Sequence, residues 1–351
     1  MEDVGRRAVD SLFEQLRVDD EWSTREDRMF CWLAHRLQQT VRASPPFTEG
    51  SLVLVRLEAH TVVIDKVTAD KKSVNRLLAV LNRHSLGSAY SYDPGAAQVT
   101  ASTGAWIHEE TVEWRLPQFA AFAALQLCVA EAEAAYIGAK TGGVVAERQH
   151  PVSGRRHEPD DMLNLLDTLV AREGRKPSRF RDKWDMENME HVVRHSPVAA
   201  TLGSTEDGLA VDVAFGASTS LTELKAEEPH RRAGAGIRVR TRLPLSLTED
   251  EAAEYANAFN LAEARGASEA THYGAWCWDS WGQGDVTLAY QVFIPNVLYR
   301  VGVAQDIMLS MVKRARWMDW GIHGEQSLTD AKQVMLERFA KFFEAPRDQD
   351  V

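Results

Sequence analysis

Apolar residues recur at two spacings along this 351-residue chain, and the switches between them mark out its elements. Phe30, Leu33, Ala34, Leu37 and Val41 recur at three- and four-residue steps and predict a helix from Arg25 to Val41, ended by Ser44-Pro45-Pro46. Leu52 to Leu57 and Thr61 to Val67 read as two strands, with His60 near the turn between them. Val74, Leu77, Leu78 and Leu81 form the stripe of a short helix ending at Asn82. Strands at Ala89 to Tyr92 and Gln98 to Thr103 flank the turn Asp93-Pro94-Gly95. Val112, Trp114 and Leu116 alternate as a strand, and Pro117 opens a long helix to about Ala139 that Thr141-Gly142-Gly143 stops.

From Val144 to Pro197 the composition changes. A Pro/Gly/Arg-rich stretch, 150–159, is followed by helices predicted at Asp160 to Arg172 and Trp184 to Arg194. The pattern then resumes, with strands at Leu209 to Phe215 and Ile237 to Leu243 and another between them. Thr248 and Glu251 have the spacing of a capping box, at the start of a helix ending near Asn260. Trp276 to Trp278 and Val286 to Ile294 read as strands, and Pro295 as the opening of a second long helix. An offset of 178 superposes Asn82 on Asn260 and Pro117 on Pro295, and matches the apolar faces of the intervening elements. Leu328 to Glu344 adds a C-terminal amphipathic helix.

The expected fold class is α+β: two related modules, each a mainly antiparallel sheet with helices packed on one side. The first spans 1–143 and the second 198–351, with a helix-containing linker over 144–197. The length suits two domains. Three dispersed cysteines without CxxC spacing, Cys31, Cys128 and Cys277, fit a reducing cytoplasm. Met1 to Asp10 lacks the apolar region of a signal peptide, and no apolar run reaches the ~20 residues of a membrane span, so a soluble protein is expected. A net charge of −11 makes nucleic acid an unfavoured partner. A basic stretch of Arg172, Arg175, Lys176, Arg179, Arg181 and Lys183 reads first as a solvated linker.

Candidate chemistry is sparse. His108-Glu109-Glu110 begins like HExxH, but Val112 stands where the second histidine belongs, so no metal site is expected. P-loop, nucleophile-elbow and dinucleotide patterns are missing, and neither catalytic residues nor cofactors are expected. Cys277, with His272 five residues upstream, is the best placed thiol and reads as a strand residue; a site around the two is the enzymatic alternative. Tryptophan is the unusual feature: among ten, Trp276, Trp278, Trp281, Trp317 and Trp320 crowd the second module. Trp276, Trp278 and Trp281 read as an aromatic core or as an exposed peptide-binding platform.

The element order, the segments Leu78-Ala79-Val80-Leu81-Asn82 and Tyr255-Ala256-Asn257-Ala258-Phe259-Asn260, and the long helices expected after Pro117 and Pro295 together resemble the YbjN-like and type III secretion chaperone-like superfamily. The resemblance implies twisted sheets with helices on one side, a protein or peptide client, and pairing of modules, within the chain or in a homodimer. The function expected on this basis is a non-enzymatic peptide- or protein-binding chaperone or adaptor. A nucleic-acid-associated regulator using the basic linker is the further alternative.

Overall fold

A computed structural model describes residues 3–49, 52–180, 189–191, 200–205, 208–226, 228–266, 270–281 and 285–323. The expected helix from Leu328 to Glu344 lies outside the described residues, as does most of Trp184 to Arg194.

The chain begins with α1 (Val4–Gln15), capped where the Asp3 carboxylate accepts from the Gly5 N–H at 2.9 Å. Val9, Leu12, Phe13 and Leu16 give it a buried stripe. A meander follows: β1 (Ser23–Glu26), β2 (Met29–Leu33), β3 (Gln38–Ala43), β4 (Phe47–Glu49) and β5 (Leu52–Asp65). Helix α2 (Lys71–Asn82), strands β6 (Ala89–Asp93) and β7 (Gln98–Ile107), helix α3 (Val112–Thr141) and the short β8 (Val144–Val145) complete the first half. The second half supplies β9 (Ala200–Thr205), β10 (Gly208–Phe215), β11 (Ser218–Lys225), β12 (Gly236–Arg242), α4 (Glu249–Ala264), β13 (Ala275–Trp281), β14 (Asp285–Pro295) and α5 (Val303–His323).

The protein is therefore α+β, with two antiparallel sheets. The first runs β1-β2-β3-β5-β7-β6, with β4 and β8 also paired to β5; the second runs β9-β10-β11-β12-β14-β13. The two paths are the same path. Each module closes its last helix–strand connection with one asparagine. Asn82 accepts from the Tyr90 N–H and donates to its carbonyl, both at 2.8 Å. Asn260 makes the same pair of bonds to Trp276, at 2.8 and 2.9 Å.

Several expectations are corrected. The 25–41 region is β1 to β3: Phe30 and Leu33 of β2, Ala34 and Leu37 of the turn and Val41 of β3 are all buried, and together they imitate a helical stripe across a hairpin. The two runs either side of His60 are one strand, β5. Val112, Trp114 and Leu116 open α3, Pro117 lies inside that helix, and Pro295 ends β14 instead of opening a helix. The 178 offset thus holds only through Asn82 and Asn260. From clamp to strand takes eight residues in the first module and sixteen in the second, so the proline match is coincidental. Gly142, in the left-handed region at φ 63°, ends α3 where the sequence placed its stop. Helix α3 has the length and composition to cross a membrane, but its qualifying window is 78% buried inside the fold, as for a core helix.

Residues 144–180 do more than connect. Ala146 donates to the Val63 carbonyl at 3.0 Å and Arg156 to the Leu33 carbonyl at 3.0 Å, on the first module. Helical turns between 161 and 174 pack Leu166 and Val170 into the core. Ser178 then reaches the Gly236 carbonyl at 2.8 Å on the second module.

The modules meet through α2 and α4, which run antiparallel, with Lys71 paired to Glu254 at 2.7 Å and Lys72 to Asp250 at 2.6 Å. Asn257 of α4 accepts from the Tyr92 N–H at 2.7 Å and donates to its carbonyl at 3.0 Å. Tyr92 lies on β6, the last strand of the first sheet, so a side chain of one module satisfies the exposed edge of the other. Replacing Asn257 with Ala removes both bonds and leaves buried backbone groups unpaired. The expected cost is about 2–3 kcal/mol in urea unfolding; a loss under about 0.5 kcal/mol contradicts this role.

Candidate functional site

The junction between the modules holds the densest polar chemistry in the described structure. Glu263, near the end of α4, is completely buried. One carboxylate oxygen accepts from Trp276 Nε1 and Arg314 Nε, each at 2.8 Å; the other accepts from Arg314 Nη2 at 2.7 Å and is 2.9 Å from His272 Nδ1. The Arg314 guanidinium lies 3.5 Å from the centre of the Tyr290 ring, a cation–π contact inside the core. From the first module, Arg56 donates to the Glu263 backbone carbonyl. Gly266, at φ 90°, makes room for it, since a Cβ there would meet Arg56 Nη1. His272 and Gly104 exchange two backbone hydrogen bonds, of 2.7 and 3.1 Å, between the modules.

Ser102 Oγ stands 3.4 Å from His272 Nε2, so serine, histidine and glutamate align in the order of a hydrolytic triad. The surroundings do not suit that chemistry. Ser102 is 3% exposed on a central strand, His272 is 1% exposed, and Arg314 and Trp276 hold the remaining carboxylate valences. Burial raises the Glu263 carboxyl, but Arg314 and then His272 overcome it and hold the pKa below the usual glutamate range. Burial lowers His272 more than Glu263 raises it, so the imidazole is neutral. The cluster works as a fastener between modules.

Trp276 is part of that fastener. It is fully buried between Phe259 and Tyr290, each 5.3 Å away by ring centroid, and has no exposed ring to offer a client. Trp278 is half-buried, with the Arg83 guanidinium 5.1 Å from its ring. Trp281 is the last residue of β13, paired with Asp285, instead of a turn residue; its side chain lies outside the described structure. Cys277 is buried on β13, and burial, then Asp279, pushes its thiol up to about 12, far from a nucleophile's range. In the basic stretch, Lys176 pairs with Glu173 at 2.7 Å and Arg179 lies over Tyr299, while Arg181 and Lys183 are outside the described residues.

Beside the fastener a cleft of about 250 Å³ opens between the modules. Phe47, Leu52, Leu54, Trp106, His108 and Arg115 line it from the first module, and Thr271, Asp306, Leu309, Ser310 and Lys313 from the second. Phe47 is 55% exposed and Leu52 42%, high for large apolar side chains on one hairpin. Asp306 takes one bond of 2.7 Å from Arg115, while its Oδ2 and Arg115 Nε are buried without hydrogen-bond partners among the described residues. Burial raises the Asp306 pKa against the pull of Arg115 and Lys313. The cleft joins apolar walls to two unsatisfied polar atoms, a combination suited to one apolar side chain and an adjacent backbone amide.

Sequence reasoning reached Trp276, His272 and Cys277 but missed Glu263, Arg314, Asp306 and Arg115. None of these stands in a local motif. Burial of a charge at 263 could be suspected only from its helix stripe, where it follows Ala252, Ala256, Phe259 and Asn260. No family model matches the chain, and no curated protein or solved structure matches it either.

Three outcomes follow. Glu263→Gln leaves Arg314 uncompensated in the core and is expected to cost about 3–5 kcal/mol by denaturant unfolding. In the native protein, a neutral buried His272 and a depressed Glu263 both lose protons more readily than in the unfolded chain. Stability should therefore fall as pH drops below His272's ordinary 6.5, and again below glutamate's ordinary 4.5; a flat profile from pH 7 to 4 is incompatible with this network. Third, a thiol reagent at neutral pH should label half-buried Cys31 and leave Cys277 intact until unfolding. Rapid labelling of native Cys277 would revive the enzymatic alternative.

Proposed function

We propose that the chain is a non-enzymatic peptide- or protein-binding chaperone or adaptor of the cytoplasm, and that its client seats an apolar side chain in the cleft between the modules. The observation that carries this reading is the apolar hairpin wall, with Phe47 and Leu52 exposed, lining the same cleft as Asp306, whose Oδ2 has no hydrogen-bond partner among the described residues. A buried acceptor without a donor is costly, and a client amide relieves that cost while the apolar wall gains contact. The paired modules of like topology support the type III secretion chaperone-like reading, with internal pairing in place of a homodimer. The free thiols support a reducing compartment. The triad-like cluster adds no support for catalysis, because its serine and histidine are shut away from any substrate.

Fluorescence anisotropy with short, extended, labelled peptides carrying a Leu-Phe pair tests the reading. Phe47→Ser removes an exposed apolar contact and is expected to weaken binding about 10-fold or more, near 1.5–3 kcal/mol, without loss of fold. Asp306→Asn should weaken it less. Peptide affinity unchanged in both variants, or no binding to the native protein, overturns the proposal.

A further inference from the structure

The two modules share a strand path, so equivalent positions can be compared directly. Tyr90 and Trp276, held by the two asparagine clamps, face Ala101 and Tyr290 on β7 and β14. Those residues face Thr61 on β5 and Thr241 on β12. Counting outward from these threonines, Glu58, His60 and Val62 of β5 stand where β12 carries Arg238, Arg240 and Arg242. On the neighbouring strands, Arg42 stands where β11 carries Lys225.

The consequence is electrostatic. In the first module, Arg42 is directly opposite Glu58 and bonds it at 2.7 Å. In the second, Lys225 is directly opposite Arg238, a like-charge pair that opposes sheet formation. The face carries Lys225, Arg238, Arg240 and Arg242, joined at the sheet edge by Arg83 of the first module. Among the described residues three carboxylates pair with these five cations: Asp279, shared by Arg83, Arg240 and Arg242; Glu223, shared by Arg242 and Lys225; and Glu228, shared by Arg238 and Arg240; Asp212 of β10 stands two strands from Arg242 on the same face. Arg240 Nε is buried without a hydrogen-bond partner among the described residues, while Arg238 Nε lies 3.0 Å from Glu228. Arg83 and Lys225 keep 34% and 33% of their side chains exposed, so the excess charge is reachable from solvent. Nearby His84 is lowered by burial and then by Arg231, Arg238, Arg83 and Arg240, as expected in a positive local field.

We propose that this β11–β12 face is a docking site for an acidic segment of another polypeptide, whose carboxylates take up cations that here share too few carboxylates among them. Alternate residues of an extended strand project to one side, roughly 6.6–7 Å apart. Arg238, Arg240 and Arg242 share that repeat, so an extended acidic segment offers carboxylates in step with them. With a chain charge of −11, such a segment is repelled by the molecule as a whole and steered towards a locally positive face. The site uses none of the cleft residues and stands or falls separately from the reading above.

The test is anisotropy of the full chain with a labelled extended peptide of alternating glutamate and serine, against a lysine–serine peptide and a single-stranded oligonucleotide of equal length. At low salt the acidic peptide should bind, the basic one should not, and 0.5 M salt (a Debye length of roughly 4 Å) should abolish the signal. Lys225→Glu is expected to weaken binding about fivefold and Arg240→Gln about tenfold, while the Leu-Phe peptide still binds the cleft. Should Arg240→Gln fail to fold, Lys225→Glu and Arg83→Gln, at partly exposed positions, decide the matter. Acidic-peptide affinity that ignores both, or oligonucleotide binding tighter than that of the acidic peptide, overturns the proposal.

Discussion

Glu263 carries its charge where no water reaches it, and the junction of the molecule is arranged around meeting that demand. A carboxylate in a low-dielectric interior costs several kcal/mol unless its lone pairs are matched. Here the partners come from separate places: Arg314 from α5, Trp276 from β13, and His272 from the segment before it. Arg56 of the first module adds its bond to the same residue's carbonyl. An apolar cluster of equal volume would pack as tightly, but it would not fix which turn of α5 faces α4, nor the level at which β5 meets the helix end. The ionic cluster does both.

The remaining contacts between the modules extend that registration outward. Asn257 reaches the edge of the first sheet, His272 and Gly104 trade backbone bonds, and Phe122 stacks on Tyr273 with centroids 4.3 Å apart. The polar cluster and the cleft then divide the work by solvent access. Ser102, His272 and Glu263, the groups with reactive geometry, are sealed, while Asp306 and Arg115, each with an unmatched atom among the described residues, line the cleft. An unmatched polar atom beside an opening is a place where binding has something to gain.

How much of this was legible in the sequence depends on how local its cause is. The Thr248–Glu251 capping box, the stop at Gly142 and the turn at 93–95 are set by neighbours in the chain, and they stand where the residues place them. The β2–β3 hairpin misled because two strands joined by a short turn produce the same residue spacing as one helix face. The offset of 178 misled for a related reason: a shared proline is a single coincidence, whereas the asparagine clamp is a bond that only coordinates reveal. Trp276 could be core or surface until its indole N–H was seen to reach Glu263. Alternating arginines at 238, 240 and 242 were readable as a charged strand face, but their excess over carboxylates depends on Asp279 and Arg83, 37 and 196 residues apart from their partners.

Carrying two modules of one strand path in a single chain has a consequence beyond economy of assembly. A dimer of identical subunits must present every surface twice, and a substitution that improves one copy for a client alters the other equally. In this chain, Glu58 of the first module stands where the second carries Arg238, and the clamp asparagine is eight residues from its strand partner in the first module and sixteen in the second. Symmetry survives in the backbone path and is broken in the side chains. Such a molecule has a front and a back, and its two modules offer different surfaces to solvent.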